Sequence, residues 1–459
     1  MTDPYRVGPP RTDRGRLLLV LALGVAVTVF TATVPLLRDW FDLRVYHGSV
    51  DHWLNRGGRL YDYRVPGTEY GFTYPPFAAL VMSPMALVGL RSAVALTLLL
   101  DLAALAVALH VLTDGAWRRY GWYGGALGAC LLALYEPLRD TVSFGQVNLL
   151  LLALVLVDAR LLATGRTRWA GVGTGLAAAV KLTPVIFIGL LLLARRWRAA
   201  AVATGVTAGA TVLTALVAPD ASRFYWTHAL WDTSRIGRLD YVSNQSVQGV
   251  LARLAQGEPS RALWGAGVLV VLCVWGWRAR RAVAAGDWPA AFALTGLTAC
   301  LVSPVTWVHH LVWLLPSFAV LLRAGHTRVA GALYAVLCTS VVWLWFDDAS
   351  GIDGFLGANA YTWVTLGLLL WLPRRQTGAA RRSLSRSASA TAAPPTAAAP
   401  AIAAVSRQPG PGAGAVAAAT GVVPGPGAGA AGDGGTSDPT GETRPATANP
   451  QSSSARASS

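Results

Sequence analysis

The sequence predicts an all-α membrane protein with about twelve spanning helices, and three observations predict it. First, of 459 residues 54% are hydrophobic and only 13% charged, too few charges for the surface of a water-soluble chain of this size. Second, the apolar residues fall in long runs, most of them near the ~20 residues a helix needs to cross hydrocarbon. Third, arginines gather in short clusters between those runs, the pattern that sets membrane orientation. The formal charge of +15 resides in these clusters and in no single basic face, so no nucleic-acid partner is expected. Cys130, Cys273, Cys300 and Cys338 all lie inside apolar runs and read as packing residues rather than a disulfide framework.

The first run, Leu17 to Leu37, follows a basic amino end. It is too long for the apolar part of a signal peptide and no small-residue cleavage site follows, so it reads as a first span with its amino end in the cytoplasm. Further runs cover 92–112, 121–137, 146–164, 199–218, 262–277, 288–303, 308–322, 329–346 and 356–372. The stretch 169–194 lies between two arginine clusters and is broken at Pro184, which predicts two short legs folded as a hairpin with Lys181 at its apex. Alternating orientation then sends Arg118 and Arg119, Arg166 and Arg168, Arg195 to Arg198, Arg278 to Arg281, Arg323 and Arg328, and Arg374 and Arg375 to the cytoplasm. The outer face receives 38–91, 138–145, Lys181 to Pro184, 219–261, 303–308 and 347–355. The apolar piece 77–90 is too short to span and is expected at the outer surface. Residues 1–375 thus form a multi-spanning domain. From Gln376 the composition turns to Ala, Pro, Gly, Ser and Thr, which cannot bury enough apolar surface to order, and 376–459 is expected to be a disordered cytoplasmic tail.

The outer segments hold the chemically able residues. Asp42 stands a few residues past the first run, where a carboxylate in lowered dielectric serves as a base; a helix-end acid paired with Arg38 or Arg44 would look the same. In "FTYPPF", 72–77, two prolines stiffen aromatics that suit a sugar face or the membrane interface, and Tyr74 is a substrate-binding candidate with interfacial anchoring as its other role. "EPLRDTVSFGQVN", 136–148, contributes Arg139, Gln146 and Asn148, although Arg139 and Asp140 would also simply pair across a turn. Lys181 is the only lysine in the chain; a buried cation must find an anion, which a phosphate or an acid such as Asp101 would supply. The loop 219–261 interleaves aromatics with polar groups, as carbohydrate sites and interfacial helices both do. In "SPVTWVHHL", 303–311, His309 and His310 are adjacent and so point about 100° apart on a helix, which disfavours a shared metal and favours a hydrogen bond to phosphate or within the core.

"DLRVY", "FTYPPF", "FGQVN", "VKLTP" and "SPVTWVHH" occur in this order across residues 42–310. The combination resembles the polyprenol-phosphate-mannose-dependent mannosyltransferases of glycosyltransferase family 87. The resemblance implies a C-type glycosyltransferase architecture in a cell membrane, a polyprenyl-phosphate-mannose donor, a glycolipid or lipoglycan acceptor at the outer face, inversion at the anomeric carbon and α-(1→2) linkage. By the same resemblance Asp42 is the general base and one of His309 and His310 faces the donor phosphate. No Gly-rich phosphate loop occurs, so no nucleotide site is expected; no cofactor and no metal are expected either. Two other classes share the composition: a transporter or flippase, with an ion path through Asp101, Glu136, Asp158 and Lys181, and a non-catalytic lipid-glycan binder that would tolerate loss of Asp42.

Overall fold

The computed structural model describes residues 12–33, 39–115, 121–255 and 259–373. Arg38, Arg118 and Arg119, Arg374 and Arg375 and the segment 376–459 lie outside the described residues. Within them every regular element is helical. The amino-terminal part holds α1 (Asp13–Thr33), α2 (Phe41–Leu54), the short α3 (Pro76–Met82), α4 (Leu90–Leu112) and α5 (Gly121–Leu134). The middle holds α6 (Glu136–Phe144), α7 (Asn148–Ala163), α8 (Val172–Val180), α9 (Val185–Leu193), α10 (Trp197–Val217), α11 (Pro219–Phe224) and α12 (Val247–Leu254). The rest comprises α13 (Arg261–Ala284), α14 (Trp288–Val302), α15 (Leu315–Arg323), α16 (Thr327–Cys338), α17 (Gly351–Gly357) and α18 (Ala360–Trp371).

Among the described residues three helices, α4, α10 and α13, are long and apolar enough to cross a membrane; α6 and α7 make a fourth span if taken together across their 118° bend. The other apolar runs are cut into shorter helices, for local reasons. The run 329–346 ends its α-helix at Cys338 because Ser340 turns left-handed (φ 56°), and a 3-10 turn, Val341–Trp345, follows. The run 308–322 begins as a 3-10 helix, Val308–Leu314, and becomes α-helical only where Pro316 tolerates the first turn. The hairpin predicted from Pro184 is present as α8 and α9. Lys181 is extended (φ −145°, ψ 134°), and Pro184 immediately precedes the second leg.

The membrane character shows in where the apolar side chains go. Leu96, Leu99 and Leu102 on α4, Leu213 and Leu216 on α10, and Leu263 and Leu269 on α13 all face outward, far more exposed apolar surface than water tolerates. By contrast α14, apolar on every side, is buried along almost its whole length against α7, α9, α13, α15 and α18. Around it forms the larger core. A second core joins α2, the loop through Tyr61 and Phe72, α3 and Tyr225. Val147 and Val180 pack against both cores, so the backbones just before Asn148 and Lys181 run along the seam between them. Close helix contact fixes that seam: a Cβ on Gly175 of α8 would stand 2.6 Å from the Ala203 carbonyl oxygen of α10, so only glycine allows the approach.

Candidate active site

Asp42 is positioned by strained backbone. Asp39 and Trp40 both adopt left-handed conformations (φ 47° and 53°) immediately before α2, and the Trp40 N–H donates to the Ser143 carbonyl at the end of α6 (3.0 Å). This ties the start of α2 to the "FGQVN" turn. Gly145 completes the join. It is left-handed (φ 71°), and a Cβ there would lie 2.6 Å from the Cβ of Leu43, the residue after Asp42. The Arg44 guanidinium pairs with Asp39 rather than Asp42. Asp42 instead accepts from Gln146 Nε2 at 2.7 Å.

From Gln146 the contacts run inward. Tyr74 OH donates to Gln146 Oε1 (2.8 Å) and accepts from Tyr46 OH (3.0 Å) and Lys181 Nζ (3.2 Å). The tyrosine therefore dictates which end of the amide faces Asp42. Lys181 Nζ also donates to Asn148 Oδ1 (3.0 Å) and lies 2.8 Å from His310 Nε2. The Trp307 backbone N–H donates to His310 Nδ1 (3.1 Å), so the neutral imidazole carries its proton on Nε2, pointing at the lysine. An uncharged Lys181 satisfies all three neighbours: two N–H bonds reach Tyr74 and Asn148, and the lone pair accepts from His310. In a charged Lys181 the third Nζ–H opposes the His310 Nε2–H, a clash of two donors that an anion alongside them would relieve by accepting from both. His309 is held differently. Its carbonyl accepts from Thr141 Oγ1 (3.0 Å) and Asn148 Nδ2 (3.3 Å), and its ring meets Phe144 edge to face.

These groups share one cavity of about 880 Å³, lined by Asp42, Tyr74, Gln146, Lys181, His309 and His310. That volume is within the range of small-molecule sites. Val185, Ile186, Leu272 and Val302, from α9, α13 and α14, give the same cavity an apolar wall. Burial pushes the Asp42 carboxyl up to about 6, against the lowering effect of Gln146 and Lys181. Burial likewise pulls Lys181, in the turn between α8 and α9, down to about 7, with Asp42 opposing the change. A carboxylate poised near neutrality beside a cation whose charge depends on a nearby anion is equipped to take a proton at one point and hold an anion at another.

A family model described as glycosyltransferase family 87 matches residues 72–304. The chain belongs to glycosyltransferase family 87. Among its relatives, a protein of Mycobacterium tuberculosis named polyprenol-phosphate-mannose-dependent alpha-(1-2)-phosphatidylinositol mannoside mannosyltransferase is 37% identical over 320 residues, 66% of this chain and 74% of the relative. A Mycolicibacterium smegmatis protein named polyprenol-phosphate-mannose-dependent alpha-(1-2)-phosphatidylinositol pentamannoside mannosyltransferase is 35% identical over 329 residues, 69% of this chain and 77% of its own. A second M. smegmatis relative, named like the first, is 35% identical over 359 residues, 71% of this chain and 79% of its own. No solved structure matches the chain.

The protein is accordingly a glycosyltransferase. Family 87 membership also frames the candidates that the structure leaves apart. Arg139 does not line the cavity: its Nη2 donates to Ser340 Oγ (3.1 Å) and its guanidinium stacks on Phe30. Tyr74 is buried in the second core, not spread at an interface as the aromatic motif also allowed. Asn148 does not line the cavity but meets the site through Lys181 and the His309 carbonyl, beside a separate void of about 10 Å³, barely enough for one water. The acids of the transport reading are dispersed: Glu136 accepts from Trp343 Nε1 (2.6 Å) and from Tyr361, and Asp158 accepts from the Thr174 N–H (2.7 Å). Sequence reasoning missed Tyr46, although it follows Asp42 by four residues and shares its helix face. It also missed the Trp307 N–H, for which the sequence carries no signal.

Proposed function

We propose that this family 87 enzyme transfers mannose from polyprenyl-phosphate-mannose to a glycolipid of the phosphatidylinositol mannoside type, forming an α-(1→2) linkage with inversion. The observation that carries the reading is the single cavity holding Asp42, Gln146, Lys181 and His310 together with an apolar wall. Asp42 accepts the proton of the acceptor hydroxyl as that oxygen attacks the anomeric carbon of the donor mannose. The new C–O bond forms as the bond to the phosphate oxygen breaks, and the electron pair leaves with the polyprenyl phosphate. Lys181 and His310 Nε2–H hold that departing anion, a contact that strengthens as its charge grows. Tyr74 and Gln146 orient the base, and Asn148 orients the lysine. The polyprenyl chain lies along Val185, Ile186, Leu272 and Val302. The relatives' names support the donor and the acceptor class.

The same reading includes a C-type architecture of about twelve membrane segments, short helices counted, with the cavity opening at the outer face. The arginine clusters between the apolar runs support that orientation. Membranes containing the protein are given radiolabelled polyprenyl-phosphate-mannose with phosphatidylinositol mannosides as acceptors. Labelled product of one additional mannose, removable by an α-mannosidase, is expected; consumption of the donor without an acceptor-linked product would refute transfer.

A further inference from the structure

The cavity carries a second group of cations that the transfer chemistry above does not use. Arg235, in the 3-10 turn Thr233–Arg235, lines the cavity wall, with Arg64 behind it. The two guanidiniums converge on one oxygen: Arg64 Nη1 and Arg235 Nη2 each donate to the Tyr61 carbonyl at 2.8 Å. Neither forms an ion pair among the described residues. Asp232 and Asp62 lie near enough to favour the Arg235 charge, but neither forms an ion pair with it, and Asp232 turns its carboxylate to cap Ser234. Arg235 Nε is buried without a hydrogen-bond partner, and the guanidinium stacks over Phe224. Burial and the neighbouring Arg64 hold the Arg235 guanidinium below its usual range. Two like charges gathered in a partly dehydrated wall, with donor capacity to spare, are stabilised by an anion.

We propose that Arg235, backed by Arg64, binds the phosphodiester of the acceptor glycolipid. This rests on the mannosyltransferase reading and adds to it a subsite for the part of the acceptor remote from the reacting hydroxyl. A phosphodiester occurs in the donor as well, but Tyr61 sets the two positions apart. Its ring hydroxyl donates to the Tyr74 carbonyl (2.8 Å) at the base, while its own carbonyl, at the other end of the residue, carries the two arginines. The donor phosphate belongs with Lys181 and His310; the arginines then read a second anion. Through such a site remote binding energy positions the hydroxyl over Asp42.

The test compares a phosphatidylinositol mannoside with octyl α-mannoside, which lacks the phosphodiester, as acceptors for wild type, Arg235→Gln and Arg235→Lys. Loss of the charged fork is expected to raise KM for the anionic acceptor roughly 10- to 100-fold more than for the neutral one, with Arg235→Lys between. In the wild type, added salt is expected to raise KM for the anionic acceptor only, a readout that holds even if a variant fails to fold. Equal effects on both acceptors, or no effect, would overturn the site, as would a change in donor KM in place of acceptor KM. If the wild type transfers mannose to neither acceptor, the proposed mannosyl transfer to such glycolipids falls and this site falls with it. Transfer to both without discrimination by the arginines removes the anion site alone.

Discussion

Replacing Gln146 with methionine removes the amide that donates to Asp42 while keeping an unbranched buried side chain of similar length. In the wild type that hydrogen bond, at 2.7 Å, opposes the burial that raises Asp42 to about 6. A hydrogen bond to a charged group contributes about 1.5–3 kcal/mol, and about 1.4 kcal/mol moves a pKa by one, so Asp42 in the variant is expected to titrate near 7 or above. The sign follows from the base's role: Asp42 must be ionised to accept the proton, so activity rises as pH climbs through its pKa. With donor saturating, the acid limb of kcat should therefore move by roughly one pH unit toward alkaline values, leaving a loss of about fivefold at pH 6 that almost vanishes by pH 8. Tyr74→Phe, which frees the amide to turn, should move the limb in the same direction by less. The assay is product formation against pH in detergent or proteoliposomes. A lowered plateau with the limb in its original place would refute the claim that Gln146 tunes a titrating base.

Lys181→Ala is expected to weaken donor binding about 10- to 100-fold, and Lys181→Arg to restore only part of it, because a planar fork replaces a compact ammonium. Because the free Lys181 titrates near 7, wild-type donor affinity should decline as pH rises above that value, and Lys181→Ala should lose this dependence; unchanged donor affinity in the variant would return Lys181 to a structural role. Gly145→Ala combines a left-handed backbone with a 2.6 Å approach to Leu43, and is expected to cost about 2 kcal/mol or more and to lower kcat by displacing α2. Wild-type thermal stability with unchanged turnover would show that the turn does not hold Asp42.

Much of the site was legible because its residues are costly ones. A single lysine at a helix break, a carboxylate after an apolar run and polar side chains at a turn all need a reason in a membrane protein, and the structure brings Asp42, Gln146, Lys181 and His310 together. What composition could not reveal was competition among equivalent partners. Arg44 lies two residues from Asp42 yet pairs with Asp39, because the left-handed turn brings Asp39 back toward it. Arg139 sits in the same motif as Gln146, but α6 carries it toward Ser340 while Gly145 turns Gln146 toward α2. Helix class was readable from apolar runs; helix length was not, since left-handed Ser340 and the 3-10 segment at Val308–Leu314 leave no strong mark in hydropathy. The histidine pair shows the same limit. Adjacent rings were expected to diverge, but only the Trp307 N–H distinguishes His310 as the partner of Lys181.

The central claim is that Asp42 is the base, and Asp42→Asn tests it most directly, with turnover and donor binding measured on the same purified variant. Asparagine keeps the size and can still bond to Gln146, but it cannot take the proton, so turnover should fall roughly a hundredfold or more while donor binding stays nearly intact. Stability supplies an independent sign. The fold raises Asp42 from 3.8 to about 6, so the stability contributed by its protonated form is fully present below about 4 and is lost as pH rises through 6; Asn should recover up to about 3 kcal/mol at neutral pH. The account predicts an inserted, donor-binding protein with a higher melting temperature at pH 7.5 and almost no product. Near-normal product formation by that variant would contradict it.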